Sequence, residues 1–265
     1  MEIQRFYVNR TNLCFIEYKK KLVKNMKNNV LIGIMTVVWL ALMANIIWQG
    51  TDGEWQVEDA DKIGQLEVAK YTNQIIVVSV SDEGDTQLCF YENMSQEGDT
   101  NDSGQWELIL ETEANVGKNG LGKTREGDGK TPIGVFRFTK AFGILENPGA
   151  KMEYTQVNEN QYWVDDGASK YYNQFISVNQ VIQDWRSAEH ICEYGESYNY
   201  VLATSYNSEC IAGRGSAVFL HCASDSVDAT SGCVAVPEIY MKEIVVRVEP
   251  QCVIIIDRVE NVLEY

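Results

Sequence analysis

GSAVFLHCASDSVDATSGCVAVPE, residues 215–238, passes from a short apolar run through a polar loop to a tight turn, with a helix start close behind. His221 ends the run AVFLH (217–221), where a strand would deliver its side chain to the edge of a sheet. Cys233 follows twelve residues later in TSGCVAVPE (230–238), where small residues form the turn and Gly232 lets the backbone bend. A helix beginning shortly after would set backbone N–H groups and a positive dipole end beside Cys233, favouring both a thiolate and an oxyanion. A nucleophilic thiol needs a base within reach, a raised thiolate fraction and donors aimed at the developing oxyanion. His221, Cys233 and the Ser231–Gly232 turn are the residues placed to supply these, in an arrangement suited to acyl transfer. Taken alone, the pair reads equally well as a satisfied histidine and a structural thiol.

Outward from this stretch, apolar runs recur at Ile75–Val80, Leu88–Tyr91, Trp106–Leu110, Val135–Phe138, Tyr200–Tyr206 and Val253–Ile256. Clusters dense in Gly, Asp and Asn separate them, at 82–85, 96–104 and 117–134 (GKNGLGKTREGDGKTPIG), the composition that turns require. Short strands divided by such turns predict a mainly β, mostly antiparallel domain with one or two short helices. One amphipathic helix is expected over Pro237–Val248, with Pro237 at its N-terminal end and Ile239, Met241, Ile244 and Val245 on a buried face. A second is expected over Gln180–Cys192. Successive strand residues point to opposite faces, so Cys222 should turn into the core, away from the face that carries His221.

The chain has 265 residues, 45% hydrophobic and 23% charged, which is enough to bury a core and excludes disorder, collagen and coiled coil. A formal charge of −16 argues against a nucleic-acid partner, because phosphate neutralisation needs clustered Lys and Arg. The charge is unevenly placed: residues 1–29 hold seven basic residues against Glu2 and Glu17, a net of +5, and residues 50–265 carry −21. Between them VLIGIMTVVWLALMANIIW (30–48) is uncharged and close to the roughly 20 residues that cross a bilayer as a helix. The preceding basic residues place the N-terminus in the cytoplasm and the acidic remainder on the extracytoplasmic side. The expected organisation is a basic cytoplasmic segment (1–29), a transmembrane anchor (30–49), an acidic linker (50–69) and a folded domain (70–265). A cleaved signal sequence, with a start at Met26, is the other reading of the N-terminus.

With GDGKTPIGVFRF (127–138) ahead of them, His221 and SGC (231–233) resemble the L,D-transpeptidase catalytic domain family, the YkuD-like cysteine enzymes of bacterial cell walls. YWVDD (162–166), KYYNQ (170–174), DWRSAEH (184–190), YNYVLATSYN (198–207) and GSAVFLHCA (215–223) fit the same family, so the resemblance spans roughly residues 70–265. It implies a YkuD-like β-sandwich with Cys233 as nucleophile and His221 as general base, and no cofactor or metal. It implies attack on the carbonyl between an L-centre and the following D-residue of a peptidoglycan tetrapeptide stem, with release of the terminal D-amino acid. An amine from a neighbouring stem then forms a cross-link, whereas water would make the outcome an L,D-carboxypeptidase. Penem-class β-lactams are the acylating inhibitors it suggests. Two departures stand out. Ser231 occupies the place where many members have a second His before the Gly-Cys pair, and Ala235 the place of an Arg or Asn after it. Ser231 and Gly232 are left as orienting or oxyanion groups, with a backbone carbonyl as another means of orienting His221. A catalytically silent wall-binding module is the alternative those departures favour.

Other chemistries have weaker support. Asp165–Asp166, Asp225 and Asp228 suggest paired glycosidase carboxylates, but 38 acidic residues make such pairs common by chance. His190, Cys192, Cys210 and Cys222 lack the close paired spacing of zinc sites. Seven cysteines leave at least one thiol unpaired, and Cys89, Cys192, Cys210, Cys222 and Cys252 allow two disulfides or buried reduced thiols. Segment 117–134 lacks the P-loop order and reads as a turn-rich segment beside the cleft. Arg125, Lys130 and Arg214, Arg214 foremost, are candidates to hold a stem carboxylate.

Overall fold

The computed structural model describes residues 60–95, 105–224 and 229–265. The expected basic segment, the apolar stretch 30–48, the turn 96–104 and both Asp225 and Asp228 lie outside the described residues. Among the described residues no helix is long and apolar enough to cross a membrane.

β1 (Gln74–Val80) and β12 (Val253–Arg258) pair in parallel, with Ile75 opposite Val253 and Val78 opposite Ile256. Every residue of β1 and all but the last of β12 are buried. Continuous Val and Ile runs cannot tolerate a solvated face, so these strands occupy the middle of the sheet. β2 (Thr86–Asn93) and β3 (Trp106–Glu113) continue antiparallel on the β1 side. On the β12 side lies β4 (Gly134–Gly143), whose first residues pair with β12 and whose later ones pair with β9 (Val201–Thr204). A register shift between Phe138 and Lys140 marks the changeover. β10 (Phe219–Cys222) and β11 (Val234–Val236) complete the path, and β5 (Tyr154–Gln156) adds to β4 in parallel. β6 (Gln161–Val164), β7 (Phe175–Ser177) and β8 (Ala188–His190) form a separate three-stranded sheet.

The long path folds back on itself. Leu88 and Phe90 from β2, near one end, share a core cluster with Leu220, Val234 and Val236 from β10 and β11 at the other. Into the same cluster α2 (Glu238–Arg247) inserts Met241, Ile244 and Val245. The chain is therefore mainly β with few short helices, as the alternation of apolar runs and turns predicts. Seven of the strand pairings are antiparallel and three parallel.

Three expectations are corrected. Gln180–Cys192 is not a helix: it holds an irregular segment, then β8, then a 3-10 turn beginning at Ile191. Trp185 and Ile191 are buried, but as plugs for two separate clusters rather than as one helix stripe. Ile239 is 74% exposed rather than on the buried face, which the remaining helical spacing and Val248 complete. The acidic linker does not run to residue 69 as a bare spacer: Ala60–Ile63 forms α1, Ile63 and Leu66 are buried, and Glu67 N donates to Tyr265 O at 2.8 Å.

Candidate active site

β10 and β11 run parallel, with Leu220 opposite Val234 and His221 opposite Ala235. Residues opposite one another share a face, and the face repeats every second residue, so Cys233, two before Ala235, lies on the His221 face one register step away. Both residues line a cavity of about 410 Å³, together with Ser231, Gly232, Lys123, Glu126, Asp165, Glu189, Tyr198 and others. Cys222 points the other way, fully buried in the main core, as strand alternation requires.

Cys233 is seated from several directions. Its Sγ donates to Ala217 O at 3.1 Å and accepts from Phe219 N at 3.4 Å. Ala217 holds a left-handed φ of 52°, unusual for a residue with a Cβ. Asn173 Oδ1 accepts from Ala217 N and also from Trp163 Nε1, tying this backbone to the smaller sheet. The Cys233 carbonyl accepts from the Thr131 hydroxyl at 3.1 Å and the Thr230 hydroxyl at 2.7 Å. Thr131, from the TP of GDGKTPIG, is fully buried and its Oγ1 also accepts from Gly117 N. Gly232 has φ 144°, and a Cβ there would lie 2.7 Å from Lys130 O and 3.2 Å from Lys123 Nζ. Only glycine satisfies both the backbone angle and the close approach.

The turn-rich segment is organised around Asp128. Its carboxylate accepts from the backbone N–H groups of Thr124, Arg125 and Lys130 and pairs with Lys123 Nζ at 3.0 Å. Both side chains are nearly sealed, Lys123 3% and Asp128 8% exposed. Burial on its own would raise the Asp128 carboxyl, but these four donors reverse that and hold it well below the usual carboxylate range.

Charge at the thiol is governed by desolvation. Burial, aided by the Glu189 carboxylate, pushes the Cys233 thiol up to about 12, against the opposing pull of Phe219 N–H and the Lys123 ammonium. Burial likewise lowers the His221 imidazole, opposed by the carbonyls of Cys222 and Ser197. His221 Nδ1 donates to Cys222 O at 2.8 Å, so a backbone carbonyl orients the ring. The Tyr198 ring packs edge-on to His221 with centroids 5.5 Å apart. Burial thus favours the uncharged form of both groups. The helix-dipole expectation is corrected, because β11 intervenes and α2 starts only at Glu238.

Of the residues singled out in sequence, His221, Cys233, Ser231 and Gly232 meet at the cavity. Gly232 N–H already donates to Thr230 Oγ1 at 3.0 Å. Arg214 stands elsewhere, 54% exposed and lining a separate cleft with Tyr206 and Glu209. Asp165 lines the cavity, whereas Asp166 caps a turn through Ala168 N and Arg186 N. His190 and Cys192 adjoin each other outside the cavity, Sγ 3.2 Å from Nε2. Among the described residues no three His, Cys, Asp or Glu side chains gather in a metal-holding arrangement, and no disulfide joins Cys89, Cys192, Cys210, Cys222, Cys233 or Cys252. Lys123, Glu126 and Glu189 carried no signal of their own, being ordinary charged residues in a chain with many; the GDGKTP block that carries Asp128 and Thr131 was visible, but its contact with Cys233 was not.

Residues 74–256 match the L,D-transpeptidase catalytic domain, YkuD, and the chain belongs to that family. No curated protein matches the chain. Solved structures similar to it include the helical cell shape determining protein Pgp2 from Campylobacter jejuni, at 14% identity and TM-score 0.37, covering 71% of this chain and 49% of that one. An L,D-transpeptidase from Enterococcus faecium is similar at 14% identity and TM-score 0.32, covering 69% and 49%. L,D-transpeptidase 1 from Mycobacterium tuberculosis is similar at 13% identity and TM-score 0.30, covering 69% and 62%. The matched region spans about half the length of the first two.

Proposed function

We propose that this chain is a peptidoglycan L,D-transpeptidase that works through an acyl-enzyme on Cys233. The observation that carries the reading is the juxtaposition of Cys233 and His221 on one sheet face of a single cavity, in a chain of this family. A tetrapeptide stem enters the cavity, and the Cys233 side chain turns from Ala217 O toward His221. Nε2 takes the thiol proton as Sγ attacks the carbonyl before the terminal D-residue, and the same proton then serves the departing amine. Coupling deprotonation to attack is necessary because the thiol is not ionised at rest. Lys123, the one cation lining the cavity among the described residues, favours negative charge at Sγ. A stem amine then displaces the thiolate. We place this unit on the extracytoplasmic side of the membrane, held by the apolar stretch 30–48 behind a cytoplasmic basic segment, because the stems lie there.

The test is to incubate the purified protein with a synthetic tetrapeptide stem and follow intact mass and products. A Cys233 adduct with cross-linked dimer is expected. Adduct with tripeptide alone would identify an L,D-carboxypeptidase, and stem binding without adduct would identify a silent module. Cys233→Ala should remove the adduct without unfolding the chain, and His221→Ala should slow acylation by about 10²–10⁴-fold, the usual scale for general base catalysis. A penem should give a stoichiometric adduct on the same cysteine.

A further inference from the structure

We infer that Glu189, with Asp165 beside it, forms the subsite that holds the acceptor as a primary ammonium and takes its proton; this rests on the transpeptidase reading above. Glu126, Asp165 and Glu189 line the same cavity as Cys233, against the single ammonium of Lys123, which Asp128 already neutralises. The cavity therefore presents uncompensated negative charge to whatever follows the acyl donor. The three carboxylates are not equivalent. Glu126 is engaged by two hydroxyls, Tyr172 at 2.6 Å and Ser216 at 2.7 Å. Asp165 Oδ1 is buried with no hydrogen-bond partner among the described residues, a costly state for a carboxylate oxygen at the cavity wall. Among the described residues Glu189 accepts only from the Tyr198 hydroxyl, on Oε2 at 2.7 Å, which leaves Oε1 to receive a second donor. The Tyr198 ring lies against both Phe219 and His221, so the same side chain fixes Glu189 and borders the general base.

A cationic amine cannot attack a thioester until it loses a proton. Glu189 takes one proton from the ammonium, and the freed lone pair forms the C–N bond as the C–S bond breaks. The second N–H proton passes through His221 to the departing Cys233 thiolate, and Glu189 returns its own proton to water. Burial, only partly offset by Tyr198 and reinforced by Asp165 and Glu126, raises the Glu189 carboxyl to about 7, in the range where a base is both available and strong enough. Tyr194 and Tyr198, which also line the cavity, are both raised and stay neutral.

The experiment uses the whole protein with tetrapeptide stems bearing diaminopimelate or, in a parallel arm, lysine at the third position, from pH 5.5 to 8.5. It reads the Cys233 acylation rate and the ratio of cross-linked dimer to hydrolysed tripeptide. In wild type the ratio should rise through about pH 7. Glu189→Gln keeps an acceptor for the Tyr198 hydroxyl, and should lower the ratio about tenfold or more and flatten its pH profile. The acylation rate of the same variant is read separately, because removing a carboxylate that opposes the thiolate should raise it. Glu189→Asp should restore part of the ratio. A purely structural role would move both half-reactions together. An acylated Glu189→Gln protein with an undiminished ratio, or a wild type yielding tripeptide alone from both stems, overturns the subsite while leaving the acyl-enzyme intact. A wild type without any Cys233 adduct overturns the transpeptidase reading, and the subsite with it.

Discussion

At Cys233 and Glu189 the same force acts on two acids. Desolvation favours the protonated thiol and raises the Glu189 carboxyl to about 7. Glu189 also links the site to stability. Its folded-state value lies above its unfolded one, so the folded protein binds the extra proton more tightly, and that contribution is complete below about pH 4.5 and lost as pH rises through about 7. Glu189→Gln should therefore be more stable than wild type at pH 8, by up to about 3 kcal/mol, with the gain vanishing near pH 4; paired urea titrations would measure it. Equal midpoints at pH 8 would mean that the carboxylate is not desolvated. Gly232→Ala should cost about 1–3 kcal/mol for the left-handed angle alone and should also displace Lys123, so acylation and unfolding midpoint should fall together.

The 117–134 segment acts as an element although it contains no long regular structure. Asp128 gathers three backbone N–H groups and a buried ammonium, and Thr131, three residues on, clamps the Cys233 carbonyl. Asp128→Ala should destabilise by about 3–5 kcal/mol, because it leaves the Lys123 charge buried and unpaired. The depressed Asp128 value gives stability that is present above its unfolded value near 3.8 and lost as pH falls below it, so the wild-type advantage over the variant should shrink in acid. An advantage unchanged from pH 7 down to pH 3 would contradict the pairing. Thr131→Val removes a buried hydroxyl that serves both Gly117 N and Cys233 O, and should cost about 1–3 kcal/mol while lowering acylation; the acylation rate at saturating stem distinguishes a displaced thiol from weaker binding.

Across the whole molecule, the cavity depends on a sheet that folds over and on a second sheet beside it. β10 supplies His221, the turn into β11 supplies Cys233, β8 supplies Glu189, β6 leads into Asp165, and the 117–134 segment supplies Lys123 and Glu126. Asn173 is the pin between the sheets, accepting from Trp163 and Ala217 and donating to the carbonyls of Tyr206 and Asn207. Its φ of 56° is one that asparagine tolerates better than most residues. Asn173→Ala should therefore loosen the cavity wall, and hydrogen exchange should rise together at Ala217 and in the smaller sheet; protection lost at only one of them would show that the sheets are held separately.

Strand existence was legible wherever a run of Val, Ile, Leu or Phe was long enough to be buried on both faces, as in β1 and β12. The short strands β5 to β8 and β11 lay in mixed sequence, and Gln180–Cys192 looked helical because its buried residues Trp185 and Ile191 serve different clusters that sequence spacing cannot separate. Cys233, His221 and the obligatory Gly232 were readable as candidates because each depends on local chemistry: a thiol in a tight turn, an imidazole at a strand end, a backbone angle that excludes a Cβ. The charged wall of the cavity was decided by tertiary structure alone. Whether one of many acidic residues meets a thiol depends on sheet order and register, which bring together chain segments that are distant in sequence. The sequence therefore determined which residues are candidates for the site, and only the fold determined which charges surround them, because burial and proximity are properties of the packed chain rather than of any residue in it.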